Sequence, residues 1–382
     1  MDFLYQGIVE LATNWKAVLM ILVGALLIFL AIKKNMEPAL LLPMGFGAIL
    51  VNLPFSGAIT QMNEALGENV TGIIDWLFDV GIHAAEAMPL LLFIGIGAMI
   101  DFGPLLSNPK LLLFGAAAQF GIFATILVAG LFGFSLADAA SIGIIGAADG
   151  PTSILVSQVL NSKFVGPIAV AAYSYMALVP IIQPAAIKLV TTKKERAISM
   201  PYNPKTVSKT TRILFPIAVT IIAGVIAPAS VSLVGFLMFG NLIRECGVLN
   251  TLSETAQKEL ANLITLLLGI TIASSMKADT FISLPTLLIM ALGLLAFLFD
   301  TVAGVLFAKL LNLFSKNKIN PMIGAAGISA FPMSARVVQK LGLEENNQNH
   351  LLMHAVGANV SGQIASVIAG GVILGLVPGM LG

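Results

Sequence analysis

Long apolar blocks separated by short polar punctuation run the length of this chain. A bilayer-spanning helix needs ~20 mostly apolar residues, and the blocks leave room for roughly ten such spans plus short or broken ones. They fall at residues 15–32, 37–53, 89–100, 109–134, 137–160, 164–190, 212–228, 231–248, 260–276, 284–313, 319–338 and 351–381. Several are too short or too interrupted to be plain spanning helices. The block at 89–100 is stopped by Asp101, Gly103 and Pro104. The one at 260–276 runs into Ser274 and Ser275 and halts at Lys277 and Asp279. The last is long enough to be two pieces, with a break expected near residues 357–362.

One hydrophilic stretch, TTKKERAISMPYNPKTVSKTTR at 191–212, stands apart. It carries Lys193, Lys194, Arg196, Lys205, Lys209 and Arg212 against one acid, Glu195, and the positive-inside rule puts it in the cytoplasm. By the same rule Lys33 and Lys34 face the cytoplasm. The stretch divides the chain into a first membrane repeat (1–190), a cytoplasmic basic linker (191–212) and a second membrane repeat (213–382). The halves echo each other in collinear order. GAA at 146–148 recurs at 324–326 with an offset of 178, and Gly115 falls on Gly293 with the same offset. LLLFIGIGAM at 90–99 falls on LLGITIASSM at 267–276, and GFGAILVNL from Gly45 pairs with GFLMFGNLI from Gly235. Repeats with interrupted helices in matching places predict a secondary-transporter fold whose ion site lies at mid-membrane, where the breaks meet.

Composition sharpens this. The chain is 58% hydrophobic and only 10% charged, with a mean hydropathy of +0.97; it cannot cover a water-facing surface, since a soluble domain carries about 25% charged residues. It is an all-α polytopic membrane protein. A net charge of +1 leaves no footprint for nucleic acid, and the lone Cys246 excludes disulfides and multi-cysteine metal sites. The histidines build no metal site either. His83 sits with Asp79 and Glu86 on a polar interfacial segment, while His350 and His354 read as surface residues at a helix start. No cleavable signal, phosphate-binding loop, dinucleotide fingerprint, Ser-His-Asp order or biotinyl-lysine motif is present.

The chemistry concentrates in GAADGPTSI, residues 146–154. Pro151 lacks an N–H and disfavours helical geometry at Gly150, so the helix breaks at 149–151 and frees backbone carbonyls that lipid cannot satisfy. A carboxylate at such a place is a functional candidate. Carbonyls, Asp149 and the hydroxyls of Thr152 and Ser153 form a hard-oxygen cage suited to a singly charged cation. Na⁺ is the natural occupant and H⁺ its competitor. The plainer reading, an aspartate capping the next helix, can coexist with ion binding. The second half has its own interruptions: NPMIGAAGISAFPMSARVVQ at 320–339, carrying Asn320, Ser329, Ser334 and Arg336, and GANVSGQIAS at 357–366, carrying Asn359, Ser361, Gln363 and Ser366. Their neutral oxygens would complete an ion's shell, or their small residues would serve close helix packing. Arg336 is either a membrane-end anchor or a fork for an anionic carboxylate. Tyr175, in YSYMALVPIIQP, needs a partner inside a membrane; it either bonds to Asp149 or shuttles a proton.

GIIGAADGPTSI, AAYSYMALVPIIQPAAIKL, MFGNLIRECGVL, FPMSARVVQK and NHLLMHAVGANVSGQIAS, in this order, resemble the β subunit of the biotin-dependent sodium-translocating decarboxylases, which act on oxaloacetate, methylmalonyl-CoA, glutaconyl-CoA or malonate. The resemblance implies a membrane subunit that decarboxylates carboxybiotin, consumes a proton and exports Na⁺. It implies two inverted repeats with broken helices, similar to elevator-type carriers. It also implies that biotin resides on a separate carrier subunit, with a carboxyltransferase α subunit and a small single-span γ or δ subunit as further partners, in a multimer at the inner membrane of a prokaryote. Carried over by motif, Asp149, Tyr175 and Arg336 look catalytic. Asp149, Asn359, Asn320, Ser329 and Gly324 look sodium-binding, and Arg336 with Ser329 looks like the carboxybiotin contact. Ala147 and Ala358 depart from the family's expected glycine and proline. A Na⁺- or H⁺-coupled organic-anion carrier without chemistry is the competing expectation, and a scaffold for soluble subunits the third. The short chain and compact N-terminus lean toward an acyl-CoA decarboxylase.

Overall fold

The computed structural model describes residues 2–63, 67–84, 87–202 and 206–381; Glu86 and Lys205 lie outside them. Eight helices among the described residues are long and apolar enough to span a bilayer, accompanied by the shorter apolar helices Pro38–Asn52 and Leu136–Ala147. α1 (Asp2–Thr13) leads into α2 (Trp15–Lys34), whose start is capped by the Asn14 side chain accepting from the Ala17 amide. Lys33 and Lys34 occupy the last turn of α2, where the carbonyl end of the helix dipole favours cations. A left-handed turn through Asn35 and Glu37 reverses the chain into α3 (Pro38–Asn52), which opens on a proline that needs no N–H there. A small hairpin, β1 (Gln61–Asn63) with β2 (Glu68–Val70), and α4 (Ile73–Phe78), prolonged by a π-helical turn over Asp79–His83, precede α5 (Ala87–Met99). Asp79 and His83 are exposed and 3.9 Å apart. α5 stops just before Asp101, as the sequence predicts.

α6 (Gly103–Ser107) starts a return in which α7 (Leu112–Ala118) and α8 (Phe120–Leu131) form one span interrupted at Gln119. α9 (Leu136–Gly143), a tight turn at Ile144–Ala147, and α10 (Gly150–Val159) make up the first broken segment; α11 (Val165–Val190) closes the first half. α12 (Lys193–Arg196) lies in the linker. The second half comprises α13 (Lys209–Ile226), α14 (Val231–Cys246), α15 (Asn250–Thr255), α16 (Ala261–Ile272), α17 (Ala278–Phe281) and α18 (Leu284–Phe314). α19 (Met322–Ala325) and α20 (Met333–Glu345) flank the second break, and α21 (Leu352–Leu381) is last.

α21 corrects one expectation, because it runs unbroken through GANVSGQIAS. Its glycines serve close approach instead: Gly362 lies against the Gly327 carbonyl and Gly357 against Leu111. His354 is a second correction. It is buried, its ring meeting Tyr202 edge-on at 5.3 Å, because the linker folds over the start of α21 instead of leaving it to water.

Ion pairs gather helix ends onto two faces. On one, Lys188 of α11 meets Glu344 of α20 at 3.4 Å, Arg196 meets Glu345 at 2.6 Å, Lys309 near the end of α18 meets Glu195 at 2.9 Å, and Arg212 near the start of α13 lies 3.6 Å from Asp101 and 3.7 Å from Glu245. The linker is thus laced to this face. On the other, the Asn52 amide ending α3 donates to the Met276 carbonyl and Asp75 pairs with Lys277, at 2.8 and 3.0 Å. Between the faces α2 packs on α3 and α13 on α14; α3 lies against α16 and α14 against α5; α11 lies against α18 and α21 against α7.

Candidate functional site

The first break forms where the chain cannot continue a helix. Ala148 takes the left-handed conformation (φ 52°) and Asp149 an extended one (φ −123°), before Pro151 at the start of α10. Asp149 caps α10, its carboxylate accepting from the Thr152 amide at 3.3 Å and the Thr152 hydroxyl at 2.7 Å. The capping reading therefore holds, but the carboxylate is also buried, 4% exposed, and it accepts from Ser366 of α21 at 2.9 Å. The Ser329 hydroxyl lies close by, its proton directed to the Ala147 carbonyl. Ser153 turns away, its hydroxyl donating to the Asp149 backbone carbonyl at 2.8 Å.

The two breaks touch. The Ser329 amide and hydroxyl both donate to the Ala147 carbonyl at 3.0 Å. That carbonyl, freed by the first break, is thereby taken by the second and is not an open ligand. Around the junction α21 contributes Asn359 and Gln363, whose amide nitrogens donate to the Ile328 and Ser329 carbonyls. This fixes which way both amides point, and their oxygens, Asn359 Oδ1 and Gln363 Oε1, are buried with no partner. The Tyr173 hydroxyl is likewise buried and unpartnered, and its ring lies over Gly150, where a Cβ would strike it. An unmade hydrogen bond on a buried polar atom costs ~1–3 kcal/mol. Orphaned neutral oxygens on the elements that meet at a buried carboxylate fit a monovalent cation. Among the described residues no three acids, histidines or cysteines come together, so the donors around Asp149 are hard oxygens and not the ligand set of a multi-acid or His/Cys metal site.

Other predicted residues are placed elsewhere. The Tyr175 phenol donates to the Met290 carbonyl, joining α11 to α18; residues two apart on a helix face different ways, and Tyr173 is the phenol beside Asp149. The Asn320 amide donates to the Arg196 and Ile198 carbonyls at 2.8 Å and its oxygen accepts from the Met322 amide at 3.1 Å, so it ties the linker down and has no contact with Asp149. Gly324 and Gly304 lie backbone to backbone, a Cβ on either colliding with the other's carbonyl. Ser361 accepts from the Gly115 amide at 3.0 Å and donates to Leu111 at 2.9 Å, a packing role. Asp300, a buried acid of α18, was not singled out by motif, although an acid inside LLAFLFDTVAG is itself a signal. It accepts from the Ile122 amide at 3.2 Å, and its unpartnered Oδ2 faces Gly146, just ahead of the first break.

Arg336 is exposed on α20 on the linker's face. It lines a cavity of about 350 Å³ that also takes in Glu37, Lys188, Met333, Lys340 and Glu344. Burial holds the Glu37 carboxyl above the usual carboxylate range, and the Arg336 guanidinium pulls against that shift.

Residues 16–377 match the family model of the Na⁺-transporting oxaloacetate decarboxylase β subunit. The chain is 46% identical over 432 residues to oxaloacetate decarboxylase β chain 2 of Salmonella typhi, covering all of this chain and 99% of that one. It is 48% identical over 379 residues to the methylmalonyl-CoA decarboxylase β subunit of Propionigenium modestum, covering 95% of each. It is 46% identical over 368 residues to the glutaconyl-CoA decarboxylase β subunit of Acidaminococcus fermentans, covering 96% of this chain and 95% of that one.

Proposed function

Because the chain belongs to the family of Na⁺-transporting oxaloacetate decarboxylase β subunits, we propose that it carries Na⁺ at the Asp149 cluster and releases CO₂ from carboxybiotin at the Arg336 cavity. The protein is a multi-pass membrane subunit of a sodium-pumping decarboxylase, and with the family comes dependence on biotin and membership of a multi-subunit complex. The observation that carries the proposal is the buried Asp149 carboxylate where the two breaks and α21 meet, accompanied on α21 and α11 by the partnerless oxygens of Asn359, Gln363 and Tyr173. Na⁺ is the cargo that would occupy them.

Carboxybiotin on a carrier subunit is an anion. Arg336, on the face that carries the basic linker, holds its carboxylate by charge and paired N–H donors. The bond from ureido nitrogen to carboxyl carbon breaks, CO₂ leaves, and the electron pair left on nitrogen takes up a proton. At Asp149 a proton and Na⁺ exclude each other, so proton uptake expels the ion. Asn320 and Gly324 act on this site only by holding the second broken segment. A carboxyltransferase, a biotin carrier and a small membrane subunit complete the assembly in the inner membrane, with this chain in several copies. The alignment to the oxaloacetate β chain runs over 432 residues, longer than the 382 of this chain, whereas those to the acyl-CoA enzymes run over 379 and 368. That favours an acyl-CoA substrate for the complex.

The fold that moves the ion is a pair of inverted repeats working as an elevator. In support, α2 ends on the linker face and α13 begins there, α5 and α14 end there, and α16 ends on the opposite face. The packings α3 on α16 and α14 on α5 exchange under the repeat, as do α11 on α18 and α21 on α7. The test uses the whole complex in proteoliposomes. Asp149→Asn abolishes decarboxylation-driven Na⁺ uptake while the complex still assembles; sustained pumping by that variant would refute the site. A carrier without chemistry, the reading the family does not favour, would leave the rate of CO₂ release from free carboxybiotin unchanged.

A further inference from the structure

The cavity at Arg336 holds more charge chemistry than a carboxylate fork needs. It lies between the Asn35–Glu37 turn, the last turns of α11 and the face of α20 that carries Arg336 and Lys340. Of its two acids, Glu344 is taken by Lys188 at 3.4 Å. Arg336, Lys340 and Glu37 have no ion pair within 4 Å among the described residues. Glu37 is also unspent locally. It stands at the N-cap of α3, yet its side chain makes no capping bond; its backbone carbonyl does that work, accepting from the Leu40 and Leu41 amides. Its backbone is left-handed (φ 36°), a conformation that non-glycine residues hold at a cost and that gathers at functional places.

The head group of carboxybiotin presents three features to a protein: an anionic carboxylate, a ureido carbonyl oxygen and one remaining ureido N–H. Arginine and lysine satisfy the first two and cannot accept from the third. We infer that Glu37 is the specificity-determining acceptor for that N–H, facing Arg336 across the cavity, so that the ureido ring is recognised from both sides. The inference rests on reading this cavity as the carboxybiotin site. Its charges agree, since with Lys188 and Glu344 paired, two cations face one acid and an anion is favoured. The desolvated position of Glu37, with Arg336 acting against the burial penalty, agrees as well: a carboxylate kept half-buried without a direct partner has a partner still to come. Glu37 hangs on the α2–α3 turn and Arg336 on the far side of the second break, so one bound head group would bridge the two halves of the chain.

The test measures CO₂ release by the purified complex from free carboxybiotin and from an analogue methylated on the other ureido nitrogen. The wild type prefers carboxybiotin by about tenfold in KM, the discrimination one hydrogen bond to a charged group supplies. Glu37→Ala raises KM for carboxybiotin by about tenfold and erases the preference, with the change carried by KM more than by kcat. Glu37→Gln, which keeps an acceptor oxygen, restores most of the preference and serves as the folding control. Arg336→Ala weakens both substrates alike. If Glu37→Ala still discriminates while Arg336→Ala does not bind, the cavity reading stands and the role of Glu37 is overturned. If neither variant changes KM, the cavity reading itself fails.

Discussion

The acid at position 149 is at once a helix cap and a buried carboxylate at the junction of the two breaks, and its neighbours decide what it can do. Tyr173 brings an unpartnered buried hydroxyl to Gly150, whereas Tyr175 is spent on the Met290 carbonyl. Tyr173→Phe is therefore expected to raise the Na⁺ concentration for half-maximal decarboxylation by about tenfold. Tyr175→Phe is expected to lower the thermal stability of the complex, by about 0.5–1.5 kcal/mol for the hydrogen bond it removes, with little change in Na⁺ dependence. The reverse pattern in a Na⁺ titration of both variants would restore Tyr175 to the site. Glu37 gives a pH prediction. Burial, opposed by Arg336, holds its carboxyl above the usual range, so folding costs more once the carboxyl is ionised than while it is protonated. The associated stability is fully present below the carboxyl's unfolded pKa and is lost as pH rises through the folded one. Glu37→Gln removes that loss: it raises Tm at pH 8 by about 2 °C and leaves it unchanged at pH 4, in paired melting curves.

At the scale of elements, much of the site was legible and some was not. Pro151 after Asp149 announced the first break, and Asn320 to Pro332 the second, because proline chemistry is local. GANVSGQIAS predicts a third break, yet it lies inside continuous α21. Glycines in a membrane helix serve contact as readily as interruption, and only the neighbours, here Gly327 and Leu111, tell which. The motif points to Tyr175, yet Tyr175 bonds to Met290 and Tyr173 lies at Gly150, since rotation about a helix axis is set by tertiary packing. Asp300 carries its own signal, an acid within an apolar run. Gly324 was chosen by motif as a sodium residue, while its geometry is that of a packing glycine against Gly304. Gly324→Ala should then act through packing, costing about 1–3 kcal/mol as the second broken segment is pushed off α18. Thermal unfolding beside Na⁺ titration checks this. A variant with wild-type stability that has lost its Na⁺ dependence would make Gly324 a ligand position instead.

For the whole molecule, the collinear echoes between the halves are what the inverted-repeat proposal starts from, and the basic linker marks a polar segment that the ion pairs then hold. What the linear pattern hid was how firmly that linker is held: Arg196, Glu195 and Arg212 tie it to the ends of α20, α18 and α14. If the unit built on the two breaks moves against α2 and α3, a tether between Leu41 of α3 and Ala177 of α11, which belong to one buried cluster, should stop it. Leu41→Cys with Ala177→Cys, in a chain whose natural cysteine is Cys246 alone, is expected to halt Na⁺ pumping on oxidation and recover on reduction. Pumping that survives full cross-linking would exclude that motion.

The central claim is that one buried carboxylate, ringed by amide and hydroxyl oxygens from both halves of the chain, binds Na⁺ in competition with a proton. Its most direct test is equilibrium binding of radioactive sodium to the purified complex across pH, for the wild type and Asp149→Asn. The wild type should bind saturably and release the ion as pH falls, and Asp149→Asn should lose at least about a hundredfold in affinity. Saturable binding of wild-type strength in the variant, with the same pH dependence, would contradict the account.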